Sequence, residues 1–398
     1  AAAGYRGGRL LIDPVEVDLT GFAATNFQDI LFTSLLGEDL RITGLFDLSL
    51  VQPPAGGGTI RFEAGRDLLF DNLILFNNPF PLGPPALWNI VGTAERHILF
   101  TGFAGSTLAT AHGGSIALHA KTGNVRLDDP ATGALSVVQA SGGGGVSIKT
   151  GQDLIAGTAV DESGGPLGLF SVQGISIEGA GKLALDVARN FLGGSPNGTA
   201  SGPGFVLRNL DSTGPLPKHT VTVGGVIGET NLPLGANGLP QTTTLAESSR
   251  QYADFALSNG DLTVTAGGNV YLQRIRDAGL VGGFDLSTGV PRELAFVAGL
   301  ERNKATIVSR DGHIIINTNN RDAGRQTLPS DVLSALLPAS FEARAEKGTI
   351  QIRSSLTFLP SPTGSVRFFA KQDIQGVPKF GRQLDSHFIW LYVGYGGL

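Results

Sequence analysis

Short stretches in which apolar and polar residues alternate, each bounded by a small-residue turn, recur along this chain and limit what it can fold into. The clearest copy is Phe255-Ala-Leu-Ser-Asn-Gly260-Asp-Leu262-Thr-Val264-Thr-Ala266-Gly-Gly-Asn269-Val270-Tyr-Leu272. Gly114 to Leu127 and Gly145 to Ala156 keep the same landmarks, and weaker copies start at Gly58, Gly174, Gly312, Gly348 and Gly364. Alternation at period two puts one face of each segment against a core and the other in water, which is the pattern of a half-buried strand. Strands of three to five residues cannot sustain a hairpin alone, so they need neighbours stacked above and below with the same face apolar. The 58 Gly and 21 Pro among 398 residues also exclude a long helical bundle.

Repetition on this scale predicts an all-β parallel β-helix, a solenoid of coils each built from three short strands. Gly123 to Gly145 and Gly151 to Gly174 give turn-to-turn separations near those of a 20–25-residue coil, and Arg276-Asp277-Ala278-Gly279 reappears as Arg321-Asp322-Ala323-Gly324. The copies predict ten to fourteen coils, a rod of roughly 50–65 Å at ~4.8 Å per stacked strand. Residues 1–57 read as an N-terminal part of the coil or a cap. Residues 58–192 read as coils with an insertion near 76–102, and 193–254 as an extended insertion in which Thr220 to Val223 forms its own hairpin. Residues 255–376 read as further coils with insertions near 280–299 and 320–340. The last insertion is predicted to carry one short helix, capped by Ser330-Asp331 ahead of Val332, Leu333, Leu336 and Leu337. Residues 377–398, with Phe388, Trp390, Tyr392 and Tyr395, read as an aromatic C-terminal cap or assembly segment.

Charge and composition narrow the function. A net charge of −5 with Lys and Arg scattered singly leaves no basic footprint, so nucleic acid is not an expected partner. Without Cys there is no thiolate metal site, thiol nucleophile or disulfide. Without Met, Ala1 reads as the start of a segment or a processed product, with any export signal outside it. No run approaches 18 uninterrupted apolar residues.

Individual residues point to structure more than to chemistry. Asp67, Asn124, Asp153, Asn190, Asn269 and Asp373 each precede an apolar residue; Asn and Asp tolerate left-handed backbone and are predicted to cap the turns, in preference to forming a calcium ladder. The acid pairs Glu38 with Asp39, Asp128 with Asp129 and Asp161 with Glu162 are the candidates for general acid–base work on a polysaccharide, and each reads as an ordinary solvated pair. His97, His112, His119, His219, His313 and His387 lack metal-ligand spacing and read as solvated strand and turn positions. No Gly-x-Ser-x-Gly elbow occurs. Gly142 to Gly145 read as a flexible corner, because no Lys-Ser/Thr follows to make a phosphate loop. No catalytic, cofactor or metal residue is assigned.

The run from Gly260 to Val270, with Leu10-Leu11-Ile12-Asp13-Pro14 near the start, resembles the filamentous haemagglutinin family of large exoproteins exported by two-partner secretion. The likeness covers most of 58–192 and 255–376, and the Asn-Pro-Asn-Leu signature of the family's secretion domain is absent. The resemblance implies a right-handed β-helical shaft, extracellular or on the surface of a Gram-negative cell, acting in adhesion or filament and matrix formation. Its implied partners are an outer-membrane two-partner secretion transporter, a host or neighbouring-cell surface or glycan, and further copies joined through the ends. The expectation is a non-enzyme; the alternative is a polysaccharide-acting β-helix enzyme, a lyase or hydrolase.

Overall fold

A computed structural model describes residues 8–376 apart from 14, 21, 23–26, 52–56, 78–86, 104, 130, 133, 158, 161–171, 195–201, 210, 212, 229–251, 277–301, 318–335, 354–355 and 359–360. The chain winds into a parallel β-helix with three walls. The first wall stacks twelve strands in chain order, from Gly8–Ile12 and Phe27–Thr33 through Gly58–Ala64, Trp88–Ala94, Ile116–Ala120, Val146–Thr150, Leu183–Val187, Lys218–Val223, Asp261–Ala266, Lys304–Ser309 and Ser340–Ala345 to Ser365–Ala370. The coil number thus falls inside the expected range.

The second wall runs from Glu16–Asp18 to Phe191–Leu192, and the third begins at Leu45–Asp47 and passes through Ala253–Ser258. The long strand Val270–Arg276 then serves both walls. Val270 bridges Ile227, which bridges Phe191, so its start extends the second wall; Arg274 to Arg276 pair with Asp254 to Ala256 and extend the third. A slip in register at Gln273 marks the bend between them. Apart from a local antiparallel pair at Ala159–Val160 and Val172–Glu178, the strands among the described residues pair in parallel.

Period-two patterning explains why the walls close on one core. In the first wall Leu10, Ile30, Ile60, Ile90, Ile116, Val146 and Leu183 stand in register on successive coils, and His219, Leu262, Ala305, Phe341 and Val366 continue the column. A second column joins Phe32, Phe62, Gly92, Leu118, Ile148 and Leu185. A third consists of Ala64, Ala94, Ala120, Thr150 and Val187, residues small enough to fit beside the tight corner that follows. Each large aliphatic member removed from water contributes ~1.5–3 kcal/mol. Aromatic stacking is used where two rings meet on adjacent coils, as for Phe205 over Phe255 at 4.4 Å between centroids.

Several expectations are corrected. Coil length is not constant, and most coils exceed 20–25 residues: Leu10 pairs with Ile30 and Phe341 with Val366, steps of about 20 and 25, but Ile60 pairs with Ile90, Ile90 with Ile116 and Leu262 with Ala305, steps of about 30, 26 and 43. The glycine separations near 22 compare different corners, since Gly123 follows a first-wall strand and Gly145 precedes one. The segment 76–102 holds the coil strands Trp88–Ala94 and Ile98–Thr101. Segment 193–254 likewise holds Gly204–Arg208 and Lys218–Val223. Thr220 to Val223 form no hairpin; they lie in parallel between Leu183–Val187 and Asp261–Ala266. The Pro and Gly on either side of these strands in the sequence hid the alternation between them. The expected helix falls mostly outside the described residues, but its last two positions, Leu336–Leu337, form a strand paired with Thr357–Phe358. The arginine repeat beyond Arg276, the segment 280–299 and the aromatic segment 377–398 lie outside the described residues.

Candidate functional site: the corners of the coil

At the corner between the first and second walls the connection is short on successive coils: Gly65 to Asp67, Glu95 to His97, Lys121 to Asn124, Gly151 to Asp153 and Ala188 to Asn190. A ladder of side chains runs up this corner. Asp39 Oδ1 accepts the Asp67 N–H at 3.2 Å, Asp67 Oδ1 that of His97 at 3.0 Å, and His97 Nδ1 that of Asn124 at 3.0 Å. Asn124 Oδ1 then accepts the Asp153 N–H, Asp153 Oδ1 that of Asn190, and Asn190 Oδ1 that of Val226, at 2.9 to 3.1 Å. Val226 has no acceptor to offer, and the ladder resumes with Asn269 accepting from His313 and His313 from Thr349. Each bond satisfies a backbone donor between walls, where no ladder of the sheet reaches it.

The residue before a ladder position follows the ladder residue on the preceding coil at every rung but the one above Asn124, where it is Gln152. Asp39, Asp67 and Asp153 are met by Arg66, Arg96 and Arg189, whose guanidinium groups grip the carboxylates through two nitrogens. His97, Asn190, Asn269 and His313, which carry no carboxylate, are met by Gly123, Gly225, Gly312 and Gly348. Those glycines are required by space: a Cβ on Gly225 would lie 2.4 Å from Asn190 Oδ1, and one on Gly312 2.4 Å from Asn269 Oδ1. The Arg66 hydrogen bond holds the Asp39 carboxyl below its usual range. For Asp67 and Asp153, burial alone would raise the pKa, but the Arg96 and Arg189 hydrogen bonds and the stacked N–H groups lower it.

The predicted turn residues Asp67, Asn124, Asp153, Asn190 and Asn269 are therefore brought together in one column. They do not adopt left-handed backbone, which among non-glycine described residues occurs at Asn72, His112 and Asn259. Their bonds go across coils instead of within the turn. His97 and His313 belong to the same column, and sequence reading missed them; the signal was their position before an apolar residue, shared with the Asn and Asp. His219 is buried in the first-wall column, again unlike the expected solvated position. His112 and His119 are half-buried on separate elements, and His387 lies outside the described residues.

The acid pairs do not converge. Asp39 is in the ladder while Glu38 is exposed. Asp128 is fully buried against Arg126 at 2.7 Å, and Asp129 accepts from Gly102 and Ala131 N–H groups. Asp161 and Glu162 lie outside the described residues. No group of three or more His, Asp or Glu side chains spaced to hold a metal ion occurs among the described residues.

Two other corners differ. Between the second and third walls the connection is one or two residues on early coils and long on four later ones, spanning 156–171, 193–203, 228–252 and 317–335, whereas Val270–Arg276 passes from one wall to the other without a break and its coil is lengthened by 277–303 before the first wall. Between the third and first walls Gly142 and Gly143 take φ of +70° and +97°, and a Cβ on Gly144 would fall 1.8 Å from Gly114 O. The coils touch backbone to backbone at Gly144, while Gly143 faces open space. Beside it lies a groove of ≈ 460 Å³ lined by Ser141, Gly143, Glu178, Arg208 and Asp211 among others. Its charges are committed: Glu178 accepts from Arg208 at 3.0 Å, and Asp211 Oδ1 from the Thr213 and Gly214 N–H groups, which lower its pKa. Neither carboxylate is arranged as a proton donor.

The outer face of the later coils is covered. Tyr271, Ile315 and Gln351 point away from the main core, between inward Val270 and Leu272, Ile314 and Ile316, Ile350 and Ile352, yet all three are buried. Tyr252, the residue that follows 229–251, packs edge-on to Tyr271 at 5.9 Å. Comparison with protein-family models, curated proteins and solved structures gives no match for this chain.

Proposed function

We propose that this chain is a display shaft of the filamentous haemagglutinin type, secreted or held at the surface of a Gram-negative cell through a two-partner secretion transporter, and that it acts in adhesion or in an extracellular filament or matrix. The observation that carries this reading is the division of labour between corners. One is short and bonded from coil to coil, while the corner between the second and third walls carries long connections on four of the later coils. Segments leaving a solenoid at one corner are neighbours along one edge, and a row of weak contacts on a stiff edge gains by multivalency. The resemblance of Gly260 to Val270 to that family's repeat supports the same reading. Of the carboxylates weighed for acid–base work, Asp39 and Asp128 are held in ion pairs and Asp129 by backbone hydrogen bonds, which favours contact over catalysis.

Replacing 229–251 with a short turn tests the proposal. Binding of the full chain to epithelial cells or an immobilised glycan array is expected to fall at least tenfold while the β-sheet circular dichroism is kept. Unchanged binding, or release of reducing ends or unsaturated products from pectin and related glycans, overturns it.

A further inference from the structure

His219 and His313 hold neighbouring coils together with a nitrogen that works only when it carries no proton. His219 Nδ1 accepts the Leu183 N–H at 3.2 Å from the preceding coil, and His313 Nδ1 accepts the Thr349 N–H at 3.0 Å from the following one. A ring nitrogen accepts only in the neutral imidazole, so both rings carry their proton on Nε2. Protonation would set one N–H against another. Asn124, Asn190 and Asn269 make the equivalent bond with an oxygen that does not titrate in this range.

No charge near either ring favours the imidazolium. His219 is the polar member of an otherwise apolar column, between Leu183 and Leu262, with Leu257 and Gly260 against it. Lys218 and Asp261 flank it in sequence and pairing but point to the outer face. Around His313 stand Asn269, Gly312, Gly348 and Thr349. The charged groups of the adjoining turns are Arg310, Glu346 and the exposed Asp311–Lys347 pair. His97 makes the same kind of bond but stands over the Asp67 carboxylate beside Arg96, and it is set aside for that reason.

We propose that His219 and His313 are acid-sensitive latches, so that the stack of coils holds at neutral pH and loosens at two boundaries on mild acidification. Burial pushes the His313 pKa down and that of His219 down to about 4. The sign follows. The opened chain, with a histidine pKa near 6.5, binds more protons than the closed one. Closure is therefore fully stabilised above that value and weakens as pH falls from there toward 4. The ladder aspartates titrate below this window, because their carboxyls are lowered from 3.8.

Nitrogen NMR of the full-length chain at pH 7, combined with amide exchange corrected for the intrinsic pH dependence, tests the proposal. Both rings are expected as Nε2–H tautomers, and the opening constant at Leu183 is expected to rise roughly 50-fold between pH 7 and 4.5. His313→Asn, which installs the residue found at other rungs, should keep Thr349 protected at both pH values, and His219→Asn should do the same for Leu183. A Nδ1–H tautomer or an imidazolium in the wild type at pH 7 overturns the proposal. So does pH-independent protection in the wild type, or a His313→Asn variant that loosens in acid as the wild type does.

Discussion

Asp67 and Arg96 lie 29 positions apart, and each explains the other. The carboxylate takes the His97 N–H with one oxygen and needs a cation to offset its own burial, which the next coil supplies from the position before the ladder. The two partners are unequal. Asp153→Ala leaves the Asn190 N–H without an acceptor and should cost about 1–3 kcal/mol. Arg189→Ala removes an ion pair from a side chain 59% exposed, and should cost under ~1 kcal/mol. Chemical denaturation of both variants checks this, and equal losses would contradict it. Close approach makes a second residue-scale prediction. A Cβ on Gly58 would meet the Trp88 ring at 2.4 Å, and Trp88 is fixed by its Nε1–H donating to Val51 O at 3.0 Å. Gly58→Ala should therefore destabilise by about 1–3 kcal/mol in the same assay. The Arg-Asp, Arg-His and Arg-Asn pairs at 66–67, 96–97 and 189–190 were visible in the sequence, but their partners were not, because the unequal coil lengths conceal which turns stack.

At the scale of the elements, strand content and face were legible and register was not. Alternation in Asp261–Ala266 or Leu183–Val187 directly gives the inward residues Leu262, Val264 and Ala266, and Leu183, Leu185 and Val187. Runs such as Ile314-Ile315-Ile316 break the alternation, and this has a physical reason: the wall there is covered on both faces, as continuous apolar strands are. Ile315→Ala should accordingly cost ~2–4 kcal/mol, as for a core isoleucine, whereas Thr220→Ala on the open face of the first wall should stay within ~0.5 kcal/mol. Thermal melts of the two variants distinguish them. The ladder corner responds to acid as a unit. Asp39, Asp67 and Asp153 have lowered folded pKa values, so their stabilisation is present above the unfolded value near 3.8 and is lost as pH falls below it. Pairing Asp153→Asn with Arg189→Gly, which converts one rung to the neutral type, should flatten the loss of melting temperature between pH 4 and 2.

For the whole molecule, a solenoid with one regular corner confines the differences in coil length to the other two. The regular corner fixes coil-on-coil stacking through hydrogen bonds that any insertion there would break. The other two tolerate connections of different length because loop closure grows only slowly in cost with length. That tolerance is why the coil length could not be read from glycine spacing, although the coil number could. Residues far apart in sequence lie one strand spacing apart per coil along the first wall. Ala117, Ser147, Ala184, Thr220, Thr263, Thr306 and Glu342 occupy one such outward row. The chain has no native cysteine, so spin labels can be placed cleanly at Ala117→Cys with Thr306→Cys, and at Ala117→Cys with Glu342→Cys. Electron–electron double resonance should give backbone separations of about 24 Å and 29 Å, five and six steps of ~4.8 Å. Distances that do not lengthen by one strand spacing between the two pairs would contradict the stack.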